Sequence, residues 1–575
     1  MQNYLAFFFL TVIFFVSGHP AQAQPSPKST QISDLIAIYR ADHGALSRKY
    51  AVQASDEYLQ RFEEFYEQWL SSINSLGFES LSRSEKVDFT LFKNDIERSL
   101  YFLAEKKRDF KKIKDFLPVQ DSIMSFINKR RTGTSFDGKE VAADFNLWNQ
   151  ETLDLKDQLE GATPFSKKEA GNLAAAISDL QKGIKEAYGF YYGYDPDFTW
   201  WAAEPFEHLD NSLKEYAAFA ENHFDKESEK DDGSGIIGNP IGRDEILRRL
   251  KFEMISYTPE ELIEIANKQF EWSEREMLKA SREMGYGDDW KAALEAVKGT
   301  YVEEGEQPAL VTKLANEAIN FVEERDLVTI PDLAKETWRM VMLSPEQQLV
   351  APFFLGGEVV RIAYPTNSMD QEAKMMSMRG NNPHFSKAVV HHELIPGHHL
   401  QQFMTQRYET HRRMFYTPFW TEGWALYWEM VLWNKEFAES PEDKIGMLYW
   451  RMHRCARIVF SLSYHLGDWT PQQSIDYLVE KVGHERANAE AEVRRSFEGN
   501  YGPLYQIAYM TGAMQLYSLR LELVESGQMS EKDFHDAILQ QNSIPIAMLK
   551  ALLTNENLSE NYEPDWQFGD YLDGM

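Results

Sequence analysis

The segment Ser55–Ser75, SDEYLQRFEEFYEQWLSSINS, carries the pattern that decides the fold class. Leu59, Phe62, Tyr66, Trp69 and Ile73 recur at spacings of three and four, the periodicity of an amphipathic helix with one apolar face. Glu85–Lys106 repeats the pattern, Pro259–Met284 reads as a charged helix, and helical periodicity returns from Ser386 to about Leu552. Strand signals are few: the clearest is the short β-like run Glu358–Tyr364, inside an irregular region from Gly356 to Pro383. The expected fold is therefore mainly α, with one small β element. Arg131–Lys139 reads as a loop. Asp231–Arg243, DDGSGIIGNPIGR, is the strongest break in the chain. It divides a helical region at 24–235 from a second at 236–575.

Bulk properties narrow the function classes. The 575 residues carry 90 acidic and 60 basic side chains, a formal charge of −30 that repels phosphate backbones and anionic lipid surfaces. Nucleic acid and membrane surface are poor partners for such a chain. Residues Leu5–Val16, LAFFFLTVIFFV, are almost wholly apolar and precede Ala21-Gln22-Ala23, the pattern of a signal peptide at 1–23 and of an exported protein. About 12 apolar residues fall short of the roughly 20 that span a bilayer as a helix. The single cysteine, Cys455, permits no intrachain disulfide, reads as a small buried residue, and leaves no cysteine near the signal region to accept a lipid.

Six of the 14 histidines (His384, His391, His392, His398, His399 and His411) fall within one 28-residue window. Neutral imidazole is a common zinc ligand, and His-Glu on a helix followed one turn later by a second His presents two ligands and a general base on one face. His392-Glu393 opens in that way, but position 396 is proline and the next histidines come six and seven residues after His392. In a straight helix His399 would share the face of His392 yet sit about 10 Å along the axis, and His398 would point elsewhere. Pro396 cannot donate to the carbonyl of His392 and clashes with it, so the helix must bulge or restart within Leu394–Gly397. A two-residue bulge brings His398 to the position of an i+4 histidine. His392 and His398 are the expected ligands, with His399 as the alternative.

A third ligand is expected from Phe419–Glu429, FWTEGWALYWE, where Glu422 lies between Trp420 and Trp424 and a buried carboxylate needs a partner. Glu429, seven residues on, shares its helical face and is placed to orient a ligand imidazole.

The two blocks HHELIPGHHLQ and TEGWALYWE resemble the bacterial family catalogued as domain of unknown function 885, and the resemblance extends over most of the mature chain. It implies a large helical metallopeptidase-like fold with one Zn²⁺ per chain, supports Glu422 as third ligand, and favours Tyr509 as a donor to a developing oxyanion. The stretch Arg457–His465 departs from the family pattern in carrying Ser461 where an acid is usual.

The expected chemistry is hydrolysis of peptide bonds, with Glu393 as general base and Tyr509, Tyr505 or His465 as oxyanion donors. Arg454, Arg457 and Arg520 are candidates for a substrate carboxylate, because a planar guanidinium suits it, and Tyr505 is a further substrate-binding candidate. The run Glu358–Tyr364 could pair with an extended substrate. Two alternatives share these residues: a metal-dependent amidohydrolase on a non-peptide substrate, and a non-catalytic exported binding protein. Exopeptidase and endopeptidase action, and oligomeric state, stay open at this stage.

Overall fold

In the computed structural model, residues 31–118, 120–225, 231–350, 356–357, 359–499 and 501–571 are described. Segment 1–23, read from the sequence as a signal peptide, lies outside them. These residues form 23 α-helices and two four-residue strands, the mainly α architecture expected.

The segment that opened the sequence reading forms helix Asp56–Asn74, with Ser55 as its N-cap accepting from the backbone N–H of Tyr58 and with Leu59, Phe62, Tyr66, Trp69 and Ile73 all buried. Such a cap contributes about 1 kcal/mol. The helix expected at 85–106 runs further, Arg83–Ile113, because nothing in its lysine-rich continuation breaks it; Ser82 and Glu85 close its N-terminus as a capping box. Thr258 and Glu261 do the same for helix Pro259–Glu283.

The buried apolar residues form one contiguous cluster from Ile32 to Phe568. A polar tie also joins the two halves of the chain. Asp88 accepts from Nε of the fully buried Arg412 at 2.7 Å and stands 2.9 Å from Nε2 of His411, and Arg412 Nη2 reaches Ser84 at 2.7 Å. His411 is thereby a structural residue.

At the centre lies helix Pro441–Leu466, buried on every side from Ile445 to His465. It packs on Pro259–Glu283, Pro383–Glu393 and Tyr505–Arg520. A helix buried all round is ordinarily apolar. This one carries Arg451, His453, Arg454, Arg457 and His465 inward, and two of those arginines meet the cavity described below.

The β element is a two-stranded parallel sheet, β1 (Arg339–Met342) on β2 (Val359–Ile362), with Arg339 opposite Val359 and Met342 opposite Ile362. Val360 and Ile362 point into the core. Arg361, of opposite pleat, lines the cavity together with Gly356.

Candidate metal centre

Helix Pro383–Glu393, capped by the Asn382 side chain accepting from the N–H groups of His384 and Phe385, carries His392 and Glu393 in its last turn. The helix stops there. Leu394 (φ −109°, ψ −105°) leaves the helical region, and a new helix runs from His398 to Thr405. The intervening loop satisfies its own backbone: Gly397 N–H donates to the His391 carbonyl at 3.0 Å, and His399 N–H to the Leu394 carbonyl at 2.9 Å. Gly397 has no substitute, since a Cβ there would lie 1.8 Å from the carbonyl oxygen of His392. The chain folds back on itself, so the rings of His392 and His398 meet nearly at right angles with centroids 4.9 Å apart. Of the bulge or restart expected within Leu394–Gly397, the chain makes the restart. His399 starts on the other side of the new helix, where Nε2 is 2.9 Å from the Ala334 carbonyl oxygen, so His398 is the histidine that the fold brings to His392.

Glu422 arrives on helix Pro418–Asn434, which crosses helix Tyr505–Arg520 at Gly423 and Gly512. The helices touch through their backbones: a Cβ on Gly512 would stand 1.9 Å from the Phe419 carbonyl oxygen. This approach puts the Tyr505 hydroxyl on Glu422, donating to Oε1 at 2.5 Å. Gly512→Val is expected to destabilise the protein by about 1–3 kcal/mol or more through overpacking, read as a lowered Tm. An unchanged Tm would show that the crossing tolerates a side chain.

The other oxygen, Glu422 Oε2, stands 3.3 Å from His398 Nε2 and 3.8 Å from His392 Nε2. The three donor atoms lie within 4.8 Å of one another. Ligands of one tetrahedral zinc, each roughly 2.0–2.1 Å from the ion, stand about 3.4 Å apart. The arrangement therefore fits a single ion with little movement.

Proton positions also fit. His392 Nδ1 is 2.6 Å from Glu429 Oε1, an acceptor, so Nδ1 carries the proton and Nε2 is turned to the cluster. His398 Nδ1 is 3.3 Å from Gln401 Oε1, and the Gln401 amide nitrogen is committed to the carbonyls of Trp420 and Thr421. That commitment orients the amide oxygen toward His398. Both Nε2 lone pairs then converge beside Glu422.

Burial and pairing set the charges of the ion-free cluster. Burial pulls the His392 imidazole down, but the carboxylates of Glu422 and Glu429 beside it outweigh it and lift its pKa to about 9. Burial raises the Glu422 carboxyl, yet His398 and His392 hold it well below the usual range. Glu393 differs: burial is the larger effect, and its pKa is raised despite His392 and His398. A Cβ on Gly356 would fall 1.8 Å from Glu393 Oε2, so that glycine leaves the carboxylate its room.

The cluster opens on a cavity of about 350 Å³, whose wall includes His392, Glu393, His398, Glu422, Tyr505 and Tyr509. Tyr509 lies parallel to His392 at 6.3 Å, and its hydroxyl is 3.4 Å from that of Tyr505. Arg454 and Arg457 also line the wall. Tyr505, a substrate-binding candidate, lines the cavity and also holds Glu422.

Two expected residues are not brought to the site. Arg520 sits eleven residues beyond Tyr509, about 16 Å along the helix, where it pairs with Glu525 and Glu531. His465 sits about 12 Å beyond Arg457, packed on Tyr464 and Phe497, with its pKa pulled down to about 4 chiefly by burial. Sequence reading missed Gln401, Glu492, Arg495 and Gly356. Gln401, three residues after His398, had a usable signal in its i+3 spacing. Glu492 and Arg495 lie in the helical stretch 386–552 with no spacing that singles them out.

The sequence profile of a family described as bacterial protein of unknown function (DUF885) matches residues 40–553. The chain belongs to that family. No curated protein matches it. Among solved structures, a DUF885 chain of this fold is similar to a protein from Shewanella oneidensis described as a lipoprotein of unknown function, with TM-score 0.67 and 16% identity over 92% of this chain and 100% of the other. A second, from Colwellia psychrerythraea and also described as a lipoprotein, gives TM-score 0.56 and 17% identity over the same shares. Identities this low speak for the fold alone.

Proposed function

We propose that the protein is an exported zinc peptidase that hydrolyses short peptides. The observation that carries this reading is the convergence of His392 Nε2, His398 Nε2 and Glu422 Oε2, each held from behind, with the raised carboxyl of Glu393 in the same cavity wall. His392, His398 and Glu422 would hold the ion. Zinc, when bound, supplies Lewis-acid polarisation of a carbonyl and acidifies water.

The remaining work falls to side chains of this chain. Glu393 takes the proton of the attacking water and hands it to the leaving amine. A carboxylate beside the ion can alternate between the two roles. The Tyr509 hydroxyl donates toward the carbonyl oxygen as charge develops on it. The edge of β2 not paired with β1 supports an extended substrate backbone beside Arg361. Export is supported by the apolar run Leu5–Val16 and by the description of two proteins of this fold as lipoproteins. Among the described residues no helix is long and apolar enough to cross a membrane.

The test is elemental analysis of the dialysed protein together with digestion of mixed short peptides before and after chelation. One zinc per chain and chelator-sensitive cleavage support the reading. A protein that neither retains zinc nor cleaves when zinc is added overturns it. Glu429→Ala removes the acceptor behind His392 and is expected to weaken zinc binding by roughly 10–100-fold, measured by competition with a chromophoric chelator. Unchanged affinity would remove Glu429 from the ligand-orienting role.

A further inference from the structure

The far wall of the same cavity carries an excess of positive charge. Arg457 Nε and Arg495 Nε each donate, at 2.7 Å, to one carboxylate, that of Glu492. Arg454 has no carboxylate within ion-pair distance among the described residues. Its Nε, like Nη1 of Arg457, is buried without a hydrogen-bond partner, and both residues are more than nine-tenths buried. Guanidinium does not shed its proton in proteins. Buried donors of this kind are otherwise found paired. Three arginines share one acid, so the wall lacks an anion.

The arginines are also positioned relative to the metal centre. Arg454 and Arg457, one turn apart on helix Pro441–Leu466, lie with their guanidinium carbons 4.7 and 4.6 Å from the Tyr509 ring centroid. That ring is in turn 6.3 Å from His392. An extended residue spans about 3.5 Å, so the guanidinium groups stand one to three residues away from a bond held at the centre.

We propose that Arg454 and Arg457, supported by Arg495, bind the terminal carboxylate of the substrate, so that the enzyme cleaves one to three residues from the C-terminus of short peptides. This inference rests on the peptidase reading. The amide C–N bond near the C-terminus breaks, the hydroxyl of water joins the acyl carbon, and its remaining proton passes through Glu393 to the leaving amine. The leaving fragment keeps its carboxylate on the arginines. Their charge selects a free terminus over a blocked one, and charge-assisted bonds are the strong ones.

The experiment is titration calorimetry on the full-length zinc-loaded Glu393→Gln protein with tetra-alanine, tetra-alanine amide, and an amide of the same length ending in glutamate. The free acid is expected to bind roughly 10–100-fold more tightly than either amide. Arg454→Gln is expected to bring the acid to the level of tetra-alanine amide without changing zinc content. Equal affinity for acid and amide in the protein with Arg454 intact overturns the proposal, and needs no arginine variant to fold. Equal binding of the glutamate amide and the free acid also overturns it, since the site would then read a side chain. The two readings fail separately. Cleavage of acid and amide alike by the unsubstituted enzyme leaves a peptidase without terminal selection. Acid preference in a protein that cleaves nothing leaves the carboxylate site and removes the peptidase.

Discussion

Glu393→Gln is expected to lower turnover by roughly 10²–10⁴-fold, the contribution of a positioned general base, while zinc stoichiometry stays unchanged. The side chain is nearly isosteric and the amide cannot take a proton from water. The metal is expected to stay because Glu393 is not among the three converging donors. Glu393 also lacks the ion-paired state of its neighbours: burial raises its carboxyl, whereas histidines hold Glu422 down. The measurement is kcat on a short peptide, paired with zinc content on the same preparation. A variant that keeps full turnover would take the base role from Glu393 and leave the cavity without an obvious replacement.

Glu422→Ala should have the larger effect on the metal. Loss of an orienting partner costs roughly 10–100-fold in affinity, and loss of a ligand should exceed that. The substitution acts twice, because the same carboxylate accepts from Tyr505 at 2.5 Å and faces both histidines with its other oxygen. Removing it leaves Tyr505 without its acceptor and His398 without its carboxylate partner, while His392 keeps Glu429. The expected protein emerges from dialysis without zinc and regains little activity at millimolar zinc. Full zinc occupancy after dialysis would refute Glu422 as a ligand. Read beside Glu393→Gln, the pair separates holding the ion from moving the proton.

Much of this arrangement is legible along the chain because it depends on local periodicity. The three-and-four spacing of Leu59, Phe62, Tyr66, Trp69 and Ile73 specifies a helix wherever the segment is packed, and Ser55 marks its start. Pro396 lacks a backbone donor in any context, so a break after Glu393 follows from its chemistry. The pairing of Glu429 with His392 follows from its seven-residue offset to Glu422 on one helical face.

Other features are non-local. The choice of His398 over His399 depends on how Gly397 folds under the carbonyl of His392 and on the Ala334 carbonyl that engages His399. Tyr505 reaches Glu422 only because Gly423 and Gly512 let two helices touch. By residue type Arg520 looked as suitable as Arg457 for a carboxylate and His465 as suitable as Tyr509 for an oxyanion, and helix rise carries both away from the cavity. Glu492 and Arg495 belong to a helix whose charges look solvent-facing, and packing turns them onto Arg457. The sequence by itself thus determined the helical class, the break at Pro396 and the set of candidate side chains, because these follow from spacing and residue type. The tertiary structure alone decided which of the candidate side chains converge, because convergence depends on crossings between helices distant in the chain.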